Sequence, residues 1–189
     1  MQNIWRILSA AALLLAGLAL GNASDSKTFT VTVSGLENVQ IIAPLTEIDF
    51  FTTTSGGYRV CADGSRDTST STWIKPYCGV YPTIQYSTNY ASNRKLVAKA
   101  SASGPAPVIV RFKKQSSYGP SGAGAGGVWA FAGDYVDLTA TDTDIVTNIG
   151  SGSYSIGPVI EIIFDVAEGV SYPAPGNYSV NLTVTILAQ

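Results

Sequence analysis

The sequence predicts an all-β fold, and three observations support this prediction. Apolar and polar residues alternate with a period of two near both ends of the chain, as they do in half-buried strands. Clusters of Gly, Pro, Ser and Asn separate the alternating runs, and helical periodicity is absent after the first 23 residues. Short strands with frequent turn signals are typical of sandwiches and barrels.

Residues 1–23 have the order of features that marks a secretory signal peptide. Arg6 provides a positive charge, residues 7–20 form an apolar run, and small residues precede a cleavage point after Ala23, with Gly21 as the alternative position. The apolar run is shorter than a membrane-spanning helix requires. We therefore expect an exported chain, secreted or on the cell surface, with no membrane span after the signal is removed.

Two alternating runs mark the ends of the mature chain. In residues 28–33, the apolar side chains of Phe29, Val31 and Val33 alternate with threonines. A second run, rich in Asn, Ser and Thr at its alternate positions, follows a Pro- and Gly-rich turn near the C-terminus. Its apolar positions are Tyr178, Val180, Leu182, Val184 and Ile186. Each run predicts a strand with one apolar face.

Shorter strands are predicted between these two runs, and no internal repeat or second domain is visible. The predicted strands are residues 39–43, 47–52, 58–61, 80–86, 96–102, 108–113, 128–131 and 155–166. Residues 65–72 and 116–127 interrupt the pattern and predict loops. Residues 24–36 are therefore expected to form an N-terminal strand segment, and residues 37–189 a single β-sandwich domain.

Cys61 and Cys78 are the only cysteines in the chain. An even pair in an exported chain predicts a disulfide bond. A metal or redox pair is the weaker interpretation, because the two cysteines are far apart and no histidine is present. The bridge would stabilise the fold by about 3 kcal/mol in the chain-entropy description.

The composition argues against an enzyme. Without histidine the chain cannot hold a Ser–His–Asp triad, a Cys–His pair or a His-ligated metal. The letters of residues 122–127 match a dinucleotide-binding fingerprint, but a strand-like run follows them, and that site needs a helix N-terminus. The net charge of −2 does not attract nucleic acid. We expect no catalytic residues, no cofactor and no nucleic-acid partner.

Four carboxylates cluster in the second half of the chain, at Asp134, Asp137, Asp142 and Asp144. Hard oxygen ligands gathered in this way could form a calcium site. The spacing of a calcium-binding loop is absent, however, and turn-forming aspartates are the commoner explanation. We expect no metal site.

An aromatic-rich stretch lies beside the cysteines, and Trp73, Tyr77 and Tyr81 are its candidate contact residues. Exposed aromatic rings could stack on sugars or on a neighbouring subunit. Packing within strands is the alternative, because strands favour Tyr and Trp. Asn177 and Asn181 also fit the acceptor pattern for N-glycosylation, which matters only in a host that glycosylates exported proteins in this way.

The two ends of the mature chain together resemble a known family. The run Lys-Thr-Phe-Thr-Val-Thr-Val-Ser at residues 27–34, followed by Val-Gln-Ile-Ile-Ala-Pro at residues 39–44, resembles the mature N-terminus of major subunits of alternate chaperone–usher fimbriae. Pro-Gly-Asn-Tyr-Ser at residues 175–179, with its alternating strand, resembles their C-terminal end and also secreted pilins of the spore-coat-U type. The cysteine loop, the aromatic stretch and the Gly-rich loop have no counterpart in these families.

The resemblance implies an immunoglobulin-like β-sandwich that a neighbouring subunit completes with a donor strand. The donor would be residues 28–33, which would place Phe29, Val31 and Val33 in a groove of the next copy. The strand that carries Tyr178, Val180, Leu182, Val184 and Ile186 would border that groove. The implied partners are further copies of the chain, a periplasmic chaperone and an usher.

Two functions of different classes follow. The first is a structural subunit of an extracellular filament, a fimbria or pilus, assembled by donor-strand exchange. The second is a monomeric secreted or cell-surface binding module that uses the aromatic stretch, with surface glycans as its partner. Insertion of residues 28–33 into their own sandwich, rather than into a neighbour, would favour the second.

Overall fold

The computed structural model describes residues 35–42, 50, 59–91, 93–120 and 126–189, except for the side chains of Arg59 and Val60. Every regular element in this part of the chain is a β-strand, which confirms the predicted all-β class. Among the same residues, no helix is long and apolar enough to cross a membrane. The predicted signal peptide, residues 28–33 and nearly all of the predicted strand at 47–52 lie outside the described residues.

Fourteen strands form in the described residues. In chain order they are β1 (Glu37–Ile42), β2 (Arg59–Ala62), β3 (Ser65–Arg66), β4 (Trp73–Ile74), β5 (Tyr77–Val80), β6 (Thr83–Thr88), β7 (Arg94–Ser103), β8 (Val108–Lys113), β9 (Gly126–Trp129), β10 (Tyr135–Leu138), β11 (Thr143–Ile149), β12 (Gly152–Ile156), β13 (Val159–Phe164) and β14 (Ser179–Ala188).

The strands make three larger sheets and one small hairpin, all with antiparallel pairing. One sheet has the order β1-β6-β12, the second β10-β8-β13-β5-β2, and the third β14-β7-β11-β9, while β3 pairs with β4. Side chains from all three larger sheets meet in one apolar core, as in a β-sandwich. The largest side chains that are fully enclosed there include Tyr86, Phe112, Ile84 and Leu96.

Proline divides two segments that the sequence analysis predicted as single strands. The predicted strand at 80–86 is two strands, because the chain leaves β5 through Tyr81 and Pro82 and enters β6 in a different sheet. Likewise, Gly157 and Pro158 separate β12 from β13 in the predicted strand at 155–166. Proline has no N–H to give to a sheet, so a strand stops there. The prediction of one strand was wrong in both places.

Three strands, β3, β10 and β11, lie where the sequence predicts a loop or turn-forming aspartates. The hairpin β3–β4 falls within or beside the polar stretch at 65–72, and β10 and β11 occupy the aspartate-rich region. β11 is a central strand with β7 on one side and β9 on the other. Its sequence, TDIVTNI, mixes turn-forming residues with apolar ones, and the register shifts at two points along β7. This irregularity hides the period of two that strand prediction needs.

The Gly-rich segment ends in β9, where position 127 requires glycine. Gly127 has a φ of +91°, and a Cβ there would lie 2.6 Å from the carbonyl oxygen of Thr147 on β11. Only glycine allows both this backbone conformation and this close approach. The predicted loop at 116–127 is therefore too long by two residues, because Gly126 and Gly127 belong to β9.

A disulfide joins Cys61 and Cys78, as predicted. The two cysteines are directly opposite each other in β2 and β5. Cys78 is buried and Cys61 half-buried, so the bridge fastens the edge strand β2 to the rest of its sheet.

Candidate functional site: the β1/β14 edge

β14 is the longest regular element of the C-terminal region, and it lies at the edge of its sheet. Its ten residues pair with β7 in unbroken register, from Ser179 opposite Ser103 to Ala188 opposite Arg94. Among the described residues, no strand pairs with its other side. An unpaired strand edge presents N–H and C=O groups that can pair with another chain.

The apolar face of β14 becomes less buried toward its beginning. Ile186 is buried, whereas Val184, Leu182 and Val180 are half-buried although they point to the same side of the strand. The residues opposite these three on β7 are alanines, so β7 contributes little apolar volume beside them. Tyr178, the fifth residue of the predicted set, lies one position before β14, with its ring 4.9 Å from that of Phe164.

β1 resembles β14 in its pairing and in its half-buried apolar side chains. It pairs with β6 along its whole length, and no strand pairs with its other side in the part of the chain that the structure describes. Val39 and Ile41 are half-buried and pack against the core, while their neighbours in the sequence are exposed. β1 and β14 belong to different sheets, yet their Cα atoms come within 8 Å of each other.

We call these half-buried residues, Val39, Ile41, Val180, Leu182 and Val184, the edge surface. All five lie on strands with one sheet neighbour among the described residues, and all five contact the core. Half-buried aliphatic side chains lose contact with water when another strand covers them, and this burial is favourable. The edge surface can therefore accept an apolar strand.

One end of the edge surface is fastened. The guanidinium of Arg94 at the start of β7 lies 2.5 Å from a carboxylate oxygen of Glu37 and 4.0 Å from the centre of the Tyr90 ring. The N–H of Leu36 donates to the side-chain oxygen of Asn89 at 2.7 Å, and the Asn89 N–H donates back to the Leu36 carbonyl at 3.2 Å. Arg94 is also opposite Ala188, the last residue of β14. The start of β1 and the end of β14 therefore lie at the same end of the domain.

The candidate contact aromatics do not share one strand. Trp73, Tyr77 and Tyr81 are all half-buried, and Trp73 belongs to the hairpin β3–β4 rather than to the sheet that holds Tyr77. The indole N–H of Trp73 is buried, and it has no hydrogen-bond partner among the described residues. The structure therefore does not assemble the three rings into one platform on a shared strand.

The four aspartates are distributed over the surface instead of sharing one site. Asp137 accepts two hydrogen bonds from Arg111, at 2.7 and 3.3 Å, and this contact raises the pKa of the guanidinium. Asp144 pairs with Lys95 at 2.9 Å, and Asp142 with Lys99 at 3.5 Å. In the described parts of the chain, no three acidic, cysteine or histidine residues are placed to hold a metal ion. Three of the four carboxylates, those of Asp137, Asp142 and Asp144, each pair with a different cation.

The ion pairs lie on two sheet faces. Lys95 and Lys99 lie on β7, Asp144 lies on β11 and Asp142 directly precedes β11, whereas Arg111 and Asp137 lie on strands of the five-stranded sheet. Lys113 donates to the buried carboxylate of Glu161 at 2.9 Å, which raises the pKa of the lysine.

Comparisons with known proteins assign no family: no protein-family model matches the chain, and a search of curated proteins finds no match.

One side of the edge surface, β14, is visible in the sequence from its long period of two. The other side falls in the predicted strand at 39–43, where the sequence indicated no role for Val39 or Ile41. The alternation of these two residues with polar neighbours was the available signal. Their proximity to β14 depends on the tertiary structure, because more than 130 positions separate the two strands in the sequence.

Proposed function

We propose that this protein is the structural subunit of an extracellular filament, in which residues 28–33 of one copy pair with β14 of the next. We call residues 28–33 the donor segment. The observation that carries the proposal is the edge surface, where two neighbouring edge strands present half-buried apolar side chains. Addition of a strand to an exposed sheet edge is a common mode of recognition, with main-chain hydrogen bonds for affinity and side-chain pockets for specificity.

The donor segment has the chemistry that the edge surface needs. Phe29, Val31 and Val33 are spaced two residues apart, as are Val180, Leu182 and Val184 on β14. Two strands with the same period can bury both apolar sets on one face while their alternate residues, mostly threonines, stay outside. Each donor side chain would contribute about 1.5–3 kcal/mol if it became fully buried.

The fastened end of the edge surface favours a head-to-tail arrangement. Gly35 is two residues before Glu37, whose ion pair with Arg94 lies at the end of the domain where β14 finishes. A donor segment that runs antiparallel to β14 would have its last residue near Ser179, so the neighbour's domain would lie at the opposite end. Each copy would then donate at one end and accept at the other. Such an interface does not close on itself, and it therefore builds a filament.

The donor role can be tested with a matched pair of substitutions. In the chain that begins at Ser24, Phe29→Asp places a carboxylate on the apolar face of the donor segment, whereas Thr30→Asp places the same charge on its polar face. We expect negative-stain microscopy and sedimentation to show filaments for the parent and for Thr30→Asp, and monomers for Phe29→Asp. The chain that begins at Gly35 should also stay monomeric.

The outcomes separate the two candidate functions. Filaments formed by the Phe29→Asp chain would show that the donor segment is not the link between subunits. A compact monomer for the parent chain would instead support the second function, a monomeric binding module. Such a module would have its own residues 28–33 on the edge surface, and the periplasmic chaperone and usher would have no role.

A further inference from the structure

The outer side of the three-stranded sheet carries a set of uncharged polar side chains. We call this set the polar face, and its members are Asn38, Gln40, Gln85, Ser87, Ser153 and Ser155. They form two rows across the sheet, one of Asn38, Ser87 and Ser153, and one of Gln40, Gln85 and Ser155. Five of them are exposed and Ser87 is half-buried.

The polar face differs from the surfaces of the other two large sheets. Those sheets carry ion pairs such as Lys95 with Asp144 and Arg111 with Asp137. The polar face contains only amides and hydroxyls, which donate and accept hydrogen bonds without carrying charge. Surfaces of soluble domains are normally rich in Lys, Arg, Glu and Asp of both signs. A charge-free area across three strands is therefore a specific feature of this sheet.

A surface depression of about 520 Å³ lies on the polar face. Five of the six polar-face residues line it, all except Gln40, together with Tyr86 and Tyr154. The depression is shallow and open to solvent, so a ligand bound there would keep one side in water. The ring of Tyr86 packs at 5.7 Å from that of Tyr154, and the Tyr86 hydroxyl donates to the carbonyl of Gly126 at 2.7 Å. The buried Tyr86 therefore holds the central strand in place beneath the depression.

The size of the polar face argues against a protein partner. Three strands about 4.8 Å apart and about five residues long, with a rise of about 3.3 Å each, cover roughly 250 Å². A stable protein interface buries about 800 Å² on each partner. The polar face alone is too small for such an interface, but it is large enough for a short oligomer of small units.

We propose that the polar face binds a short neutral oligosaccharide. Sugar hydroxyls donate and accept hydrogen bonds, and they match the amides and hydroxyls of Asn38, Gln85, Ser87, Ser153 and Ser155. The absence of charge on this face selects against anionic sugars, which would lose hydration without gaining a cation. We expect the affinity of one site to be modest, because its hydrogen bonds replace bonds to water, and a filament that repeats the site in every subunit would bind a sugar-coated surface through many of them.

Ligand-observed saturation-transfer NMR tests this proposal on the chain from Ser24, because the method works for both monomers and large assemblies. The probes are lactose, maltotriose, cellotriose and triacetylchitotriose, and sialyllactose is the charged counterpart of lactose. We expect saturable binding of at least one neutral probe, little dependence on salt, and weaker binding of sialyllactose than of lactose.

Two substitutions and one control locate the site. Gln85→Lys and Ser155→Lys place a charge on the polar face from two different strands, and Thr185→Lys places the same charge on the exposed side of β14. We expect the first two to weaken binding at least tenfold and the third to leave it unchanged, with thermal unfolding by circular dichroism confirming the fold of each. Should one polar-face variant fail to fold, the other provides the comparison.

Three results would overturn the proposal: no saturable binding of any neutral probe, undiminished binding by a folded polar-face variant, or salt-sensitive binding with a preference for sialyllactose. The proposal does not depend on filament formation. A monomer that binds neutral sugars through Gln85 would refute the proposed assembly and leave the polar face as a binding site, so the two failures are distinguishable.

Discussion

Two assembly-deficient variants should restore one defined contact when they are mixed. Phe29→Asp removes the donor function and leaves the edge surface intact, whereas Leu182→Asp damages the edge surface and leaves the donor segment intact. Each chain alone should be monomeric. In a mixture, the donor segment of the Leu182→Asp chain should pair with β14 of the Phe29→Asp chain. Growth should stop there, because the remaining donor and the remaining edge surface are both defective.

The expected size of the effect comes from the burial of Leu182. This side chain is half-buried in the free subunit, so an aspartate there remains partly hydrated and the subunit can fold. Under a donor strand the position would become covered. The substitution then loses about 1.5–3 kcal/mol of apolar burial, and an unpaired buried carboxylate costs several kcal/mol more. A loss of about 4 kcal/mol or more weakens strand pairing by roughly a thousandfold.

Analytical ultracentrifugation of equimolar mixtures would measure the outcome. We expect a 1:1 dimer from Phe29→Asp with Leu182→Asp, and monomers from each variant alone. The matched mixture of Thr30→Asp with Thr183→Asp places the same charges on the polar sides of both strands, and it should form filaments. A mixture of the first pair that stays monomeric, or a Leu182→Asp chain that polymerises alone, would refute the pairing of the donor segment with β14.

Three further predictions concern stability. Burial raises the pKa of Tyr86 above its ordinary value of 10.0. The folded state therefore favours the neutral hydroxyl. This contribution to the free energy of unfolding is complete below pH 10, and it is lost as the pH rises through the folded-state pKa. In denaturant titrations at pH 7, Tyr86→Phe should lower the free energy of unfolding by about 1 kcal/mol, because one hydrogen bond is lost. The difference between the parent and the variant should shrink above pH 10. A difference that does not change with pH would contradict the raised pKa of Tyr86. Replacement of both Cys61 and Cys78 by alanine should lower the unfolding free energy by about 3 kcal/mol, measured by urea denaturation, and an unchanged midpoint would show that the bridge does not restrain the unfolded chain. Gly127→Ala should lower the melting temperature more than Gly169→Ala, because both glycines have a positive φ but a Cβ has open space only at Gly169; equal effects would mean that contact with β11 is unimportant.

Strand prediction succeeded where the period of two is regular, as in the runs at 108–113 and 178–186. Residues 108–113 form β8 with the predicted bounds, and β14 begins one residue after the start of the predicted C-terminal run and ends two residues beyond it. The breaks at Pro82 and Pro158 follow from a rule that concerns proline alone, so they could have been predicted. β11 could not, because its bulges interrupt the alternation and its place between β7 and β9 is set by contacts distant in the sequence.

The sequence predicts only the part of the candidate site that depends on residue spacing within single strands. The apolar sets of the donor segment and of β14 are visible in the sequence, because they depend only on the spacing of residues within one strand. The order of strands in the sheets is not visible, so the sequence could not indicate that β14 is an edge or that β1 lies beside it.

By itself, the sequence determined the all-β class, the disulfide and the absence of histidine chemistry, because each depends on composition or on spacing within a short segment. Only the tertiary structure decided which strands are edges, that Asp137, Asp142 and Asp144 pair with separate cations, and that the polar residues of β1, β6 and β12 share one uncharged face. These features depend on which strands become neighbours. Strands become neighbours because segments far apart in the chain bury one common core, and a local pattern of residues does not predict which strands these are.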